Sequence, residues 1–185
     1  MNKYFITLLS FLGVGMLVYF LTISGNYPIA YVDGDFISQK SYDEYLVSAV
    51  HYYSEASKAA NNGEAIKDFS PYIPEIRRSI LDKIISDSII EKKLDESLGN
   101  DLGNMVSQKV EPASQNEKFI QYISALYGTS FQRVKKIVLE PQARQEILQG
   151  RISFQNLDYN NWILETKKSS KGYIFINDLK WDGSA

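Results

Sequence analysis

Hydrophobic positions along this chain follow three successive patterns. From Tyr4 to Ile23 the run YFITLLSFLGVGMLVYFLTI is apolar without interruption and carries no charge over 20 residues. Two short runs follow, IAYV and DFIS, with the β-branched and aromatic character of extended chain. Between them stands Asp33-Gly34, a pair that readily adopts the positive φ of tight hairpin turns, so a turn is expected over Val32-Asp33-Gly34-Asp35. Beyond Ser38 the apolar residues return mainly at helical spacing.

Ser41-Tyr42-Asp43-Glu44 has the form of a capping box and predicts a helix opening at Ser41. Tyr42, Tyr45, Leu46, Ala49, Val50 and Tyr53 would share its inner face, and Asn61-Asn62-Gly63 would end it. A second helix is predicted from Ser70-Pro71 or Pro74 to Leu98, stopped by Gly99. Its apolar stripe (Ile73, Ile76, Ile80, Leu81, Ile84, Ile85, Ile89, Leu94) is wide enough for two or more neighbours, which marks it as the central helix.

Residues 101–110, with Leu102, Met105, Val106 and Val110, read as a third helix. Ser114-Gln115-Asn116-Glu117 is a second capping box, opening a helix with Phe119, Ile120, Ile123 and Leu126 inward and Gly128 at its end. Thr129-Ser130-Phe131-Gln132 is a third box, leading into FQRVKKIVLEPQARQEILQG, which Pro141 is expected to break or kink after Leu139. YNNWILETKKSS predicts one more helix, and beyond Gly172 the alternation of Ile174, Ile176 and Leu179 reads as a strand. A lone hairpin is marginal in water, so the segment Ala30–Ile37 is expected to pair with Tyr173–Trp181 and close the two ends of the domain on each other. The expected fold class is all-α, mainly a helical bundle, with a small two- or three-stranded β element joining the N- and C-terminal segments and one transmembrane helix in front.

The first apolar run has the length for that role, because 20 helical residues rise about 30 Å, the thickness of a bilayer hydrocarbon core. Lys3 and the amino terminus favour a cytoplasmic N-terminal end, and Tyr4 and Tyr19 lie near the two interfaces. A cleaved signal peptide would have an apolar core of about 7–15 residues and a small-x-small site, of which Thr22-Ile23-Ser24 is a feeble version. A buried soluble helix would confine its apolar residues to one stripe. Residues 1–24 are therefore expected to be a signal anchor in the cell membrane, with residues 25–185 an extracytoplasmic domain, secreted if the anchor is cleaved.

Composition adds mostly exclusions. The 185 residues are 44% hydrophobic, enough for one domain with its own core plus an appendage. A net charge of −2 provides no strong field for nucleic acid or anionic lipid. The absence of cysteine excludes disulfides, thiolate metal sites and a Cys nucleophile. His51 is the single histidine, too few for a usual zinc site, and no HExxH, GxSxG, P-loop or GxGxxG is present. Counting from Asp33 puts Glu44 at the twelfth position of a calcium loop, but Ile37 and Ser41 stand where further carboxylates would be needed, so a hairpin turn is the reading kept. Asp82, Asp87, Glu91, Asp95 and Glu96 alternate with Arg77, Arg78, Lys83, Lys92 and Lys93 and predict a solvated helix face. No catalytic residue, metal site, cofactor or small-molecule substrate is read from this chain, and it is not expected to be an enzyme.

The segment AYVDGDFISQKSYDEYL, following a membrane-like run, resembles the opening of SurA-type periplasmic chaperone domains and their PpiD and PrsA relatives. Val32, Asp33, Gly34, Ile37, Ser38 and Tyr42 carry the match. RRSILDKIISDSIIEKKLDESLG, from Arg77 to Gly99, is similar to the long helix of that family, and Gly128 and Ser130 to one of its helix junctions. The resemblance spans roughly Ala30 to Leu148, with motif order and spacing as its substance. It implies a helical chaperone domain whose first and last segments pair as strands, and weak binding of unfolded chains through exposed apolar and aromatic surface. The family commonly carries a histidine-containing parvulin domain. Only 37 residues follow Leu148 here and none is histidine, so prolyl isomerase activity is expected to be missing.

The expected function is thus a membrane-anchored chaperone-like domain that binds unfolded or partner polypeptides. The candidate polypeptide-binding residues are Tyr52, Tyr53, Tyr122, Tyr127 and Phe131, since such rings combine apolar area with, in tyrosine, a polar handle. The plainer alternative for each is that it completes the core. A different role for the whole domain would be as a structural or assembly partner within a cell-envelope complex.

Overall fold

A computed structural model describes the backbone of residues 3–60, 68–176, 179 and 181, with side chains for the same residues except 3–11 and 17. In chain order the elements are α1 (Lys3–Ile23), β1 (Pro28–Val32), β2 (Asp35–Ser38), α2 (Gln39–Ala60), a 3-10 turn (Ser70–Tyr72) and α3 (Ile73–Leu98). After them come α4 (Asp101–Ser114), α5 (Glu117–Tyr127), α6 (Phe131–Val134), a π-helical turn (Lys135–Leu139), α7 (Glu140–Phe154), α8 (Tyr159–Ser169) and β3 (Gly172–Ile174). The described chain is mostly helical with one small antiparallel sheet in the order β2-β1-β3.

That sheet joins the two ends of the domain, as the marginal hairpin required. Ala30, Tyr31 and Val32 of β1 face Ile174, Tyr173 and Gly172 of β3. The Asp33 amide donates to the Lys171 carbonyl (2.9 Å), the Lys171 amide donates to Asp33 Oδ1 (2.8 Å), and the Phe175 amide donates to the Ile29 carbonyl (2.8 Å). Asp33 holds φ at +50° and Gly34 at +110°, the left-handed geometry expected of this turn. Burial pushes the Asp33 carboxyl up, but bonds from Ser170 and the Lys171 amide, with the charges of Lys92 and Lys93, outweigh it and hold the group below its usual range. The pairing of β3 is short; of the segment proposed up to Trp181, residues 177, 178 and 180 lie outside the described residues.

Helix α3 is the centre of the domain. Ile76, Ile80, Leu81, Ile84, Ile85, Ile89, Ile90 and Leu94 are buried on it, against β1, α2, α4, α7 and α8. One core lies between α3, the sheet and α2, the other between α3, α4 and α7, with Ile163 of α8 touching both. Of the face expected on α2, Tyr42 is buried and Tyr45, Leu46, Ala49 and Val50 pack on the first core. Tyr53 departs from that face and stays 46% exposed.

Several local expectations are corrected. Helix α2 opens at Gln39, and Ser38 Oγ, not Ser41, accepts from the Ser41 amide (3.2 Å). Its predicted stop at Asn61-Asn62-Gly63 lies outside the described residues. Helix α4 continues past Val110 through Pro112 to Ser114, so the N-cap of α5 is Asn116, whose side chain accepts from the Phe119 amide (3.1 Å). Helix α6 is capped by Ser130, not Thr129. Pro141 produces no break: the five-residue π turn precedes it and places it within the first turn of α7, where its missing N–H costs little.

Asp82 and Asp87 do not stand on a solvated face. The Lys167 ammonium of α8, 9% exposed, sits 2.6 Å from Asp82 Oδ1, an ion pair by distance without hydrogen-bond alignment. Asp87 is 15% exposed and accepts from Lys83 Nζ (2.8 Å); burial pushes its carboxyl up against the opposing pull of that ammonium. Glu91, by contrast, is 53% exposed, and Asp95 and Glu96 are exposed as expected. Replacing Lys167 with methionine keeps most of its volume and leaves the Asp82 charge alone against α8. The expected loss is about 2–3 kcal/mol, below the figure for a fully buried pair because Asp82 retains solvent. Urea unfolding of K167M beside a K167M/D82N double variant checks this, and the double variant should recover most of the loss.

Helix α1 ends in a Schellman motif. Gly25 adopts φ +66°, its amide donates to the Thr22 carbonyl (3.3 Å), and the Asn26 amide donates to the Leu21 carbonyl (3.1 Å). Among the described residues no helix is long and apolar enough to cross a membrane; of α1 the described side chains are those of residues 12–16 and 18–23. Leu12, Val14, Met16, Val18, Tyr19, Phe20 and Ile23 among them are each more than half exposed.

Candidate functional site

Three of the five sequence candidates meet where α5 lies along α2. Tyr52 and Tyr53 are consecutive on α2 and Tyr127 is the last residue of α5. The rings of Tyr52 and Tyr127 stack with centroids 5.2 Å apart and planes at 27°, and Tyr53 meets Tyr52 edge-on at 5.6 Å. Burial and the proximity of the other two phenols push the Tyr127 hydroxyl up from its ordinary pKa.

A second contact between α2 and α5 involves His51 and the end of α5. His51 Nδ1 donates to the Leu126 carbonyl (3.1 Å), at a helix end where backbone carbonyls lack intrahelical partners. The next turn contains Gly128 at φ +63°, and a β-carbon built there would overlap the His51 ring. A glycine therefore serves twice at this junction, for its left-handed backbone and for its lack of a side chain.

Beneath the stacked rings runs an apolar groove of about 170 Å³, walled by Tyr45, Ala49, Tyr52, Tyr53, Ile80 and Tyr127. Lys83 is the only charged residue lining it. Tyr53 also borders a second apolar hollow of about 420 Å³ between α2 and the start of α3, with Phe69, Tyr72 and Ile76. Residues 61–67, which join the walls of that hollow in sequence, lie outside the described residues.

The other two candidates stand apart. Tyr122 is 64% exposed on α5, and five residues of helix separate it from Tyr127 by more than a third of a turn. Phe131 is half-buried at the start of α6 and lines neither groove. Helix α5 contains no fully buried residue, so Phe119, Ile120, Ile123 and Leu126 are only half-covered where full burial was expected.

Two features went unread in the sequence. One is a polar cleft of about 400 Å³ between α2, α3 and α7, with Glu44, Asp87 and Glu91 facing Lys40, Lys136 and Arg144. Its charges are largely paired: Arg133 with Glu44 (3.2 Å), Arg144 with Glu91 (3.0 Å), and Lys83 with Asp87. Burial, followed by the Asp87 charge, pushes the Tyr45 phenol up from its ordinary range. The helical spacing of these charges was visible, but which of them faced another helix was not.

The other is the outer surface of the sheet. Tyr31, Phe36 and Tyr173 lie side by side across its three strands, with centroids 5.0 Å and 6.3 Å apart. Phe36 is 67% and Tyr173 63% exposed. Among the described residues no group of three or more acidic or histidine side chains is arranged to hold a metal ion. No protein-family model, curated protein or solved structure matches this chain.

Proposed function

We propose that the chain is a membrane-anchored, chaperone-like protein whose domain after residue 24 lies outside the cytoplasm and binds unfolded or partner polypeptides without catalysis. The observation that carries this reading is the half-open tyrosine groove along α2 and α5. A stack of phenol rings beside a mainly apolar trough, with Lys83 as its one charged lining residue, accepts apolar side chains of many shapes, and the ring hydroxyls tolerate polar neighbours. The half-covered apolar face of α5 adds surface beside it. Anchoring by α1 is supported by its 21 helical residues and by the uncharged run from Tyr4 to Ile23. The order of the SurA-type motifs favours the same assignment.

The test uses the full chain in lipid nanodiscs and a chemically denatured client, followed by light scattering. The native protein should suppress aggregation at several-fold molar excess. Replacing both Tyr52 and Tyr127 by alanine should raise the apparent Kd for the client about tenfold, the equivalent of ~1.4 kcal/mol. No suppression by the native chain, or equal suppression by the variant, counts against the reading.

A second reading, an assembly partner in an envelope complex, draws on Phe154 and Leu157 at the α7–α8 turn. They are 90% and 51% exposed, two large apolar side chains three residues apart and available to a fixed contact. Cross-linking in native membranes separates the two, giving many substoichiometric adducts for a chaperone and one stoichiometric adduct for an assembly partner.

A further inference from the structure

We infer that the aromatic row Tyr31–Phe36–Tyr173 is a lipid-facing surface, seated in the headgroup layer of the membrane that α1 spans. The inference rests on the proposed anchoring by α1 and adds a second, peripheral membrane contact made by the sheet.

The row has the chemistry of an interfacial contact. On the register of the sheet, Tyr31 stands directly across from Phe36 on one side and from Tyr173 on the other. Their neighbours Ala30, Val32 and Ile37 are buried on the opposite side. The row through Tyr31 is therefore aromatic in all three strands, with no charge within it. Phe175, 55% exposed, follows Tyr173, and Tyr27, 39% exposed, precedes β1. Aromatic rings with an apolar body partition to the boundary between headgroups and acyl chains. With a net charge of −2, the contact rests on ring burial and needs no anionic lipid.

Lipid is favoured over other occupants because the backbone keeps this sheet close to the end of α1. The Schellman motif ends the helix abruptly at Ile23. Two further bonds then tie the exit to the first turn of α2: the Lys40 amide donates to the Gly25 carbonyl (2.8 Å), and the Gln39 amide donates to the Tyr27 carbonyl (3.0 Å). Only Ser24 to Tyr27 separate α1 from β1. From Tyr27 to Tyr31 a strand extends at most about 14 Å. The headgroup layer is about 5–8 Å deep on each side, so the row reaches it when β1 runs along the bilayer surface. With the sheet also lying flat on that surface, Phe36 and Tyr173, on opposite edges of the sheet, sit at the same depth.

The absence of native cysteine permits a direct depth measurement on the full chain. Single variants Phe36→Cys, Tyr173→Cys, Tyr122→Cys and Gly13→Cys are spin-labelled and reconstituted in phosphatidylcholine vesicles. Collision rates with oxygen and with a water-soluble nickel chelate then give the depth of each label. Position 13 should report the hydrocarbon core, positions 36 and 173 a shift to one shared interfacial depth, and position 122 bulk water. Labels at 36 and 173 as water-exposed as the one at 122, with 13 in the core, overturn the inference and leave the anchor standing. A water-exposed label at 13 removes both. Unequal depths at 36 and 173, or interfacial depth at 122 as well, also overturn it, because the sheet would not then be the seated face.

Discussion

A chain ending at Ser170 will lose about 6 kcal/mol or more of folding stability, a large part of what a domain of this size possesses. The deletion removes Ile174, Ile176, Leu179 and Trp181, all packed on the core between α3, α2 and the sheet. Each is half-covered and contributes about 1 kcal/mol, less than the figure for a fully buried side chain. The cross-strand bonds to β1 and the two Asp33–Lys171 bonds disappear as well, and each is worth about 0.5–1.5 kcal/mol net. Ile29, Ala30 and Val32, at most 2% exposed in the intact domain, would then belong to an edge strand. Urea unfolding reads the global loss. Amide exchange reads its location: Tyr31 to Ile37 should exchange freely in the shortened chain while the middle of α3 remains protected. Protection of β1 and β2 unchanged by the deletion would refute the closure of the two ends.

The second large effect is expected at Gly128. An alanine there must hold φ at +63°, a strain of about 1–2 kcal/mol, and its β-carbon must also displace the His51 ring. Moving the ring breaks the bond to the Leu126 carbonyl, so Gly128→Ala should cost about 2–4 kcal/mol in total. A double-mutant cycle isolates the second part. In a His51→Ala background the clash is gone, and the same substitution should cost only the backbone strain. The cycle has a functional arm, because α5 displaced from α2 separates Tyr127 from Tyr52. Client binding should fall in Gly128→Ala and recover in part in the double variant. Simple additivity of the two substitutions would mean that the ring and the glycine are not in contact.

Much of the architecture was legible because it is written in spacing. The stripe from Ile76 to Leu94 has the 3.6-residue period of a helix covered on several sides, and α3 occupies that position. The need of the Ala30–Ile37 hairpin for a partner identified the terminal strand. Helix starts were legible only to within a few residues. Ser41-x-x-Glu44 satisfies the capping pattern, yet β2 ends at Ser38, and the first side chain able to accept from a free amide takes the cap. Likewise Ser114 is spent inside α4, where its hydroxyl donates to the Val110 carbonyl (3.2 Å), and Asn116 inherits the next start.

What lay beyond the sequence was any feature that depends on two distant segments. Lys167 and Asp82 each look like ordinary surface charges until α8 crosses α3. The run IAYV offers no polar side, so nothing local told which of Ala30 and Tyr31 would face water; register with β2 and β3 decides it. In the candidate site, Tyr52, Tyr53 and Tyr127 were found only as aromatic side chains suited to adaptable contacts, and the same criterion also gathered Tyr122 and Phe131. Separating the two groups required the rotational phase of α5, which its half-covered apolar face specifies only loosely.

The bond between Asp33 and Lys171 spans 138 residues of chain. During synthesis the hairpin emerges well over a hundred residues before the strand that completes its sheet. While the intervening helices are made, β1 must therefore wait with an open edge, its apolar side without the cover that Ile174 later supplies. Closing so long a loop also requires an entropic search that local helix formation does not. The order of birth and the order of assembly thus run in opposite directions at this sheet. A protein proposed to hold other unfinished chains would itself remain unfinished until β3 arrives.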